Sequence, residues 1–169
     1  DECGVCDGDG SSCSENATYA NLFVYPNNVI YEADGVVSGV QMSVGHNCDS
    51  FNIQLGDTFI ADYSTVEDTT FIVMVGTPTQ PLPSELFTYD SSGCEQQITL
   101  FDIIVSNAVP EEIPSEVFYS DCAGEIGGNA IIDECDVCNG DNSTCSDCAG
   151  IPNGDNVVDQ CDICDNDPS

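Results

Sequence analysis

The stretch Ala33-Asp-Gly-Val-Val-Ser-Gly-Val-Gln-Met-Ser-Val44 decides the fold. Val40, Met42 and Val44 alternate with Gln41 and Ser43, the two-residue period of a strand with one buried face and one wet face. The same alternation spreads from it across the middle of the chain. Strands are expected at residues 19–25, 29–33, 36–44, 50–55, 58–63, 70–75, 85–89 and 97–105, with Gly, Pro, Asn and Asp between them. No stretch holds a helical period. Short strands at this spacing predict an all-β, two-sheet sandwich. Phe23, Val40, Met42, Phe51, Ile53, Phe71, Val73, Ile98, Leu100 and Ile103 are its expected core. Residues 78–83, with three Pro in six, must form a loop or a sheet edge.

Around this middle the composition is unusual. The 169 residues include 31 Asp plus Glu, no Lys, no Arg and one His, for a formal charge of −31. Clustered cations are what bind nucleic acid and anionic membranes, so neither partner fits, and membrane insertion is not expected. So large a charge repels itself, and cations from solution, chiefly Ca2+ held by oxygen ligands, are the natural relief. Disorder is the competing outcome, but 41% hydrophobic residues and 12 Cys argue against it for most of the chain. The even, dense cysteine count reads as a disulfide framework made in an oxidising compartment, so an extracellular, secreted or cell-surface location is expected. No signal peptide and no apolar run of about 18 residues is present, so the segment reads as mature or excised.

Three parts follow from composition: 1–16 with three Cys and five acids, 17–120 with only Cys48 and Cys94, and 121–169 with seven Cys and twelve acids. The flanks repeat. Asp121-Cys-Ala-Gly-Glu-Ile-Gly-Gly-Asn-Ala-Ile-Ile-Asp-Glu-Cys135 matches Asp147-Cys-Ala-Gly-Ile-Pro-Asn-Gly-Asp-Asn-Val-Val-Asp-Gln-Cys161 at an offset of 26 residues, which Cys138 and Cys164 keep. Asp1-Glu-Cys-Gly-Val-Cys-Asp-Gly-Asp-Gly-Ser-Ser-Cys13 matches residues 133–145. The phase suggests one period of a longer tandem array. Pairing neighbouring cysteines within that phase gives 122–135, 138–145, 148–161 and 6–13. It leaves Cys3 and Cys164 single, with Cys48–Cys94 closing a bridge in the sandwich.

The acidic repeats carry the strongest chemical signal. Asp7-Gly-Asp9, Asn139-Gly-Asp141 and Asp165-Asn-Asp167 set oxygen side chains two residues apart, with small residues allowing a tight turn. Further carboxylates stand at Asp1, Asp121, Asp133, Asp147, Asp155 and Asp159. Calcium takes six to eight oxygens from carboxylates and backbone carbonyls, and such coils supply both. The plainer reading is a set of solvated acidic turns held by disulfides alone. Zinc is the rival for the cysteines, because Cys145-x2-Cys148-x12-Cys161-x2-Cys164 has ligand spacing. Four thiolates would, however, add negative charge where no basic residue offsets it. No Cys-x-x-Cys is followed by His, which removes haem attachment.

These flanks resemble thrombospondin type 3-like calcium repeats, in the Asp-Xaa-Cys-Gly-Val-Cys-Xaa-Gly-Asp-Xaa-Ser-Ser-Cys variant, over residues 1–13 and 121–167. The resemblance implies calcium-dependent, disulfide-stapled spacers with little regular structure, and Asn139 and Asn166 depart from its pattern. The middle, through residues 33–44 and Phe101-Asp-Ile-Ile-Val-Ser-Asn107, resembles a cohesin-like sandwich, which implies protein–protein interaction rather than catalysis.

An enzyme is hard to assemble here. His46 is the sole imidazole, and no Ser/His/Asp arrangement or phosphate-cradling loop is visible. Asn16-Ala-Thr18 and Asn142-Ser-Thr144 are glycosylation sequons. The expected function is a structural repeat of a large secreted protein, a calcium-stabilised, disulfide-bonded fibre whose partners are identical or tandem copies. The alternative is an adhesion module whose sandwich recognises a protein or glycan while the repeats act as a stalk. Diffuse ion binding by an acid-rich, mineral-binding or halophilic protein is a third reading.

Overall fold

A computed structural model describes residues 16–166 except 49, 78–79, 92, 95, 110 and 160. The expected 6–13 bridge, and Asp1, Asp7, Asp9 and Asp167, lie outside the described residues. The chain divides between Tyr119 and Ser120 into two compact units.

The first unit is an all-β sandwich. Its strands are β1 (Ala20–Val24), β2 (Asn28–Ala33), β3 (Val37–Gly45), β4 (Ile53–Leu55), β5 (Ile60–Val66), β6 (Thr69–Val75), β7 (Glu85–Tyr89), β8 (Thr99–Asn107), β9 (Glu112–Ile113) and β10 (Ser115–Tyr119). They form one sheet in the order β10-β1-β2-β7-β4 and another in the order β5-β6-β3-β8-β9. β1 pairs in parallel with β10 and every other ladder is antiparallel. The two sheets bury Leu22, Val24 and Leu86 from one side and Val40, Met42, Val44, Ile72 and Met74 from the other. Val40, Met42 and Val44 are core as the alternation predicts and Gln41 stays half-exposed, but Ser43, in register between Phe71 and Phe101 on the outer face, is buried rather than wet.

The core differs from expectation in three places. Phe23, Phe71 and Val73 point away from it. In β6, Thr-Thr-Phe-Ile-Val-Met-Val, nearly every residue is apolar, so alternation cannot say which face is inside. The structure buries Thr70, Ile72 and Met74 and turns Phe71 and Val73 outward. Phe23 instead stacks on Phe118 across the β1–β10 pair, with ring centroids 5.4 Å apart. Strand β10 was not among the expected strands, and it closes the sheet beside β1.

Buried His46 stacks on Phe51 at 4.1 Å and its Nε2 lies 3.2 Å from Thr70 Oγ1. Burial pushes its pKa down, against the opposing pull of Asp68. The Cys48–Cys94 bridge is present as expected.

The second unit is irregular. Its only described strands are β11 (Val157–Val158) and β12 (Cys164–Asp165), which pair antiparallel. The observed bridges are Cys122–Cys138, Cys135–Cys145 and Cys148–Cys164, and Cys161 is free and exposed. The neighbour-pairing scheme 122–135, 138–145 and 148–161 is therefore corrected, as is the single Cys164. Each bridge ties one turn to the next, whereas neighbour pairing in sequence ignores how the turns reverse the chain.

Candidate functional site

Four aspartates build the second unit. Asp133 Oδ1 accepts the backbone N–H groups of Cys135 and Val137, both at 2.9 Å, and its Oδ2 accepts that of Asn142 at 2.8 Å. Asp121 does the same with Ala123, Glu125 and Ala130, and Asp147 with Ala149, Ile151 and Asn156. Asp159 accepts from Cys161 and Ile163, both at 2.8 Å. The acceptor pattern is thus i+2, i+4 and i+9, an Asx-type turn extended to cap a second strand of chain.

The residues around each aspartate are set by that cage. Position i+3 has positive φ in all four turns, at Gly124, Asp136, Gly150 and Asp162. Position i+6 does so in three, at Gly127, Asn139 and Asn153. Asn and Asp tolerate this left-handed region better than other side chains, which gives Asn139 a backbone role. At i+7 a Cβ on Gly140 would stand 2.0 Å from Asp133 Oδ2, and Gly128 and Gly154 are as tightly placed against Asp121 and Asp147. The departure at Asn166 falls on this position in the fourth turn.

The hydrogen bonds also fix the charge. The N–H of Ala130 leads in holding the Asp121 carboxyl below its ordinary range, that of Val137 for Asp133, and that of Ile151 for Asp147. The side chain of Ser143 does the same for Asp141.

Of the expected calcium ligands, eight fall among the described residues: Asp121, Asp133, Asn139, Asp141, Asp147, Asp155, Asp159 and Asp165. Asp121, Asp133, Asp147 and Asp159 each direct carboxylate oxygens to backbone amide hydrogens of their own turn. Asn139, Asp141 and Asp155 are exposed, and Asp165 lies in the short β12. Among the described residues no group of three or more His, Cys, Asp or Glu side chains converges as a metal site would require.

The sandwich presents the second candidate, the outer face of the β5-β6-β3-β8 portion of its sheet. In register across it run Ser64, Phe71, Ser43 and Phe101, then Asp62, Val73, Gln41 and Ile104. Phe71 is 41% exposed, Phe101 41% and Ile104 42%. Two phenylalanines thus flank a low central strand, where a Cβ on Gly45 would already meet the Phe101 ring at 3.3 Å. A register shift between Gln41 and Ser43, opposite Asp102 with its φ of 49°, keeps Phe101 and Ile104 on one face although they are three residues apart. Sequence reasoning missed this face because it assigned Phe71 and Val73 inward. The three-residue spacing of Phe101 and Ile104 was the available signal.

No protein-family model matches the chain, and no curated protein matches it. Among solved structures, similarity is found to a non-cellulosomal cohesin from the hyperthermophilic archaeon Archaeoglobus fulgidus. Identity there is 10% and the TM-score 0.42, over 63% of this chain and 88% of that one. A type I cohesin–dockerin complex (Coh-OlpC-Doc435) from Clostridium thermocellum matches at 8% identity and a TM-score of 0.40, over 63% of this chain and 92% of that one. The likeness is one of fold.

Proposed function

We propose that this chain is a non-catalytic protein-binding module of an extracellular protein, in which the sandwich docks a partner through the outer face of the β5-β6-β3-β8 strands. The disulfide-stapled aspartate turns serve as its spacer. The observation that carries this reading is the apolar surface of exposed Phe71, Phe101 and Ile104 with half-buried Val73 between them, since contiguous apolar surface on a protein marks an interaction site. The partner's chemistry follows from charge. Asp62, Glu67, Asp68 and Asp102 stand on or beside this face, and the chain holds no Lys or Arg. The fitting occupant is a protein segment with apolar side chains flanked by Lys or Arg.

Calorimetric titration with a probe peptide of alternating Leu and Lys tests this. Binding should weaken in Phe71→Glu and fall as salt is raised. Equal binding by the wild type and Phe71→Glu overturns the reading.

A second reading, a structural repeat of a calcium-stabilised fibre, is favoured by the recurrence of one aspartate turn along the second unit. Calcium would act there as counter-ion to acids outside the cages, such as Asp141 and Asp155. Sedimentation velocity in millimolar calcium and then in EGTA tests it, and identical profiles would remove calcium from the account.

A further inference from the structure

Three of the four sheet edges in the sandwich are short or part-covered. β4 has three residues, β9 has two, and β10 is mostly half-buried. β5 is the exception. It runs for seven residues, all of them exposed, and among the described residues it pairs with β6 on one side only. Proteins guard such edges with Lys, Pro or bulges. The β5 sequence Ile-Ala-Asp-Tyr-Ser-Thr-Val contains none of the first two, and its pairing with β6 runs without a register shift.

The backbone of β5 has a defined outward set. The Tyr63 N–H donates to Asp62 Oδ1 at 2.9 Å, and a side chain of the same strand reaches an N–H on the open side of the ladder. Thr65 agrees. Its Oγ1 lies 2.8 Å from Thr70 Oγ1 in the facing pair Thr65–Thr70, the close side-chain approach of a pair that exchanges no backbone bonds. Ala61, Tyr63 and Thr65 therefore aim N–H and C=O away from β6.

We propose that β5 is a self-association edge, on which a second copy of this chain adds its own β5 antiparallel about a two-fold axis through Tyr63. That register pairs Ala61 with Thr65 and Tyr63 with itself, matching the outward backbone groups. It sets Ile60 against Val66 and Asp62 against Ser64, while Glu67 falls opposite Phe59 and Asp68 opposite Thr58. No acid faces an acid. Centring the pair on Asp62 instead opposes two carboxylates, and like charges directly opposite destabilise a ladder. Asp62 is the one local guard, because its carboxylate must release the Tyr63 N–H. The inference concerns the edge of the sheet rather than its face, so it stands or falls apart from the docking proposal.

The charge of −31 per copy makes this contact dependent on screening. The Debye length falls from about 10 Å at 0.1 M salt to about 3 Å at 1 M, so the dimer tightens as salt rises, opposite to docking of a basic partner. The test is sedimentation equilibrium of the intact oxidised chain with Cys161 alkylated, in low and high salt, for the wild type, Ser64→Glu and Ser64→Lys. Ser64 is exposed, so both variants keep the fold. Ser64→Glu faces Asp62 of the other copy twice by symmetry and should weaken the dimer roughly 2- to 30-fold, and Ser64→Lys should strengthen it comparably. Amide exchange at Ala61, Tyr63 and Thr65 should slow on dimerisation. A chain monomeric at millimolar concentration in 1 M salt, or a dimer that responds alike to both substitutions, overturns the proposal.

Discussion

Replacing Ile72 and Phe71 in turn tests which face of β6 is free. Ile72 is fully buried between the sheets. Ile72→Ala removes three carbons, worth about 0.8 kcal/mol each in transfer, or about 2.4 kcal/mol before the cavity left behind adds its own cost. The expected loss is about 2–5 kcal/mol. With a urea dependence of roughly 2 kcal/mol per molar, the midpoint falls by about 1–2.5 M. Phe71 is 41% exposed, and a carboxylate placed there reaches water, so Phe71→Glu should fold and lose no more than about 1–2 kcal/mol. Urea unfolding of the oxidised protein, followed by near-ultraviolet circular dichroism of its Tyr and Phe, compares the two. If Phe71 and Val73 faced the core, Phe71→Glu would bury an unpaired charge and cost several kcal/mol, while Ile72→Ala would cost little. That reversal would refute the strand orientation and remove the docking face with it.

Other consequences are as direct. Gly140→Ala forces Asp133 away from its three amides, and hydrogen exchange at Cys135, Val137 and Asn142 should accelerate while the sandwich amides keep their protection. The carboxyl groups of Asp121, Asp133 and Asp147 are lowered on folding. Their contribution is therefore present above the unfolded value near pH 4 and is lost as pH falls through the folded one, so these turns should keep amide protection until the pH drops below about 4. His46 is lowered by burial, so the sandwich is expected to lose stability as pH falls below about 6.5, and the single imidazole resonance should titrate below that value. Digestion at acidic residues under non-reducing conditions should yield peptides joined as 122–138, 135–145 and 148–164, with Cys161 taking up iodoacetamide; a 148–161 peptide would contradict the arrangement.

The strand positions were legible because polar residues interrupt the apolar ones. Gln41 and Ser43 mark the outer face of β3 and so orient Val40 and Met42. β6 offers no such marker, and its facing is settled only by what packs on it. β10 could not be read from Ser-Glu-Val-Phe-Tyr alone, since its partner β1 lies almost a hundred residues earlier and the pairing is parallel. In the repeats, the recurring Asp, Cys and Gly positions were visible, but the amide-accepting turns they build were not. An aspartate that accepts amides at i+2, i+4 and i+9 and one that ligates calcium are both followed by small residues in tight turns. The bridges were misread for a related reason: the turn reverses the chain, so Cys138 meets Cys122 across two turns instead of its sequence neighbour.

Amide and methyl chemical-shift mapping with the Leu–Lys probe peptide asks directly whether the outer face of β5-β6-β3-β8 receives a protein partner. Docking on this face concentrates the shifts on Phe71, Val73, Phe101 and Ile104 and removes them in Phe71→Glu. Shifts confined to the acidic turns of residues 121–166, or spread evenly over the acidic surface, would contradict it.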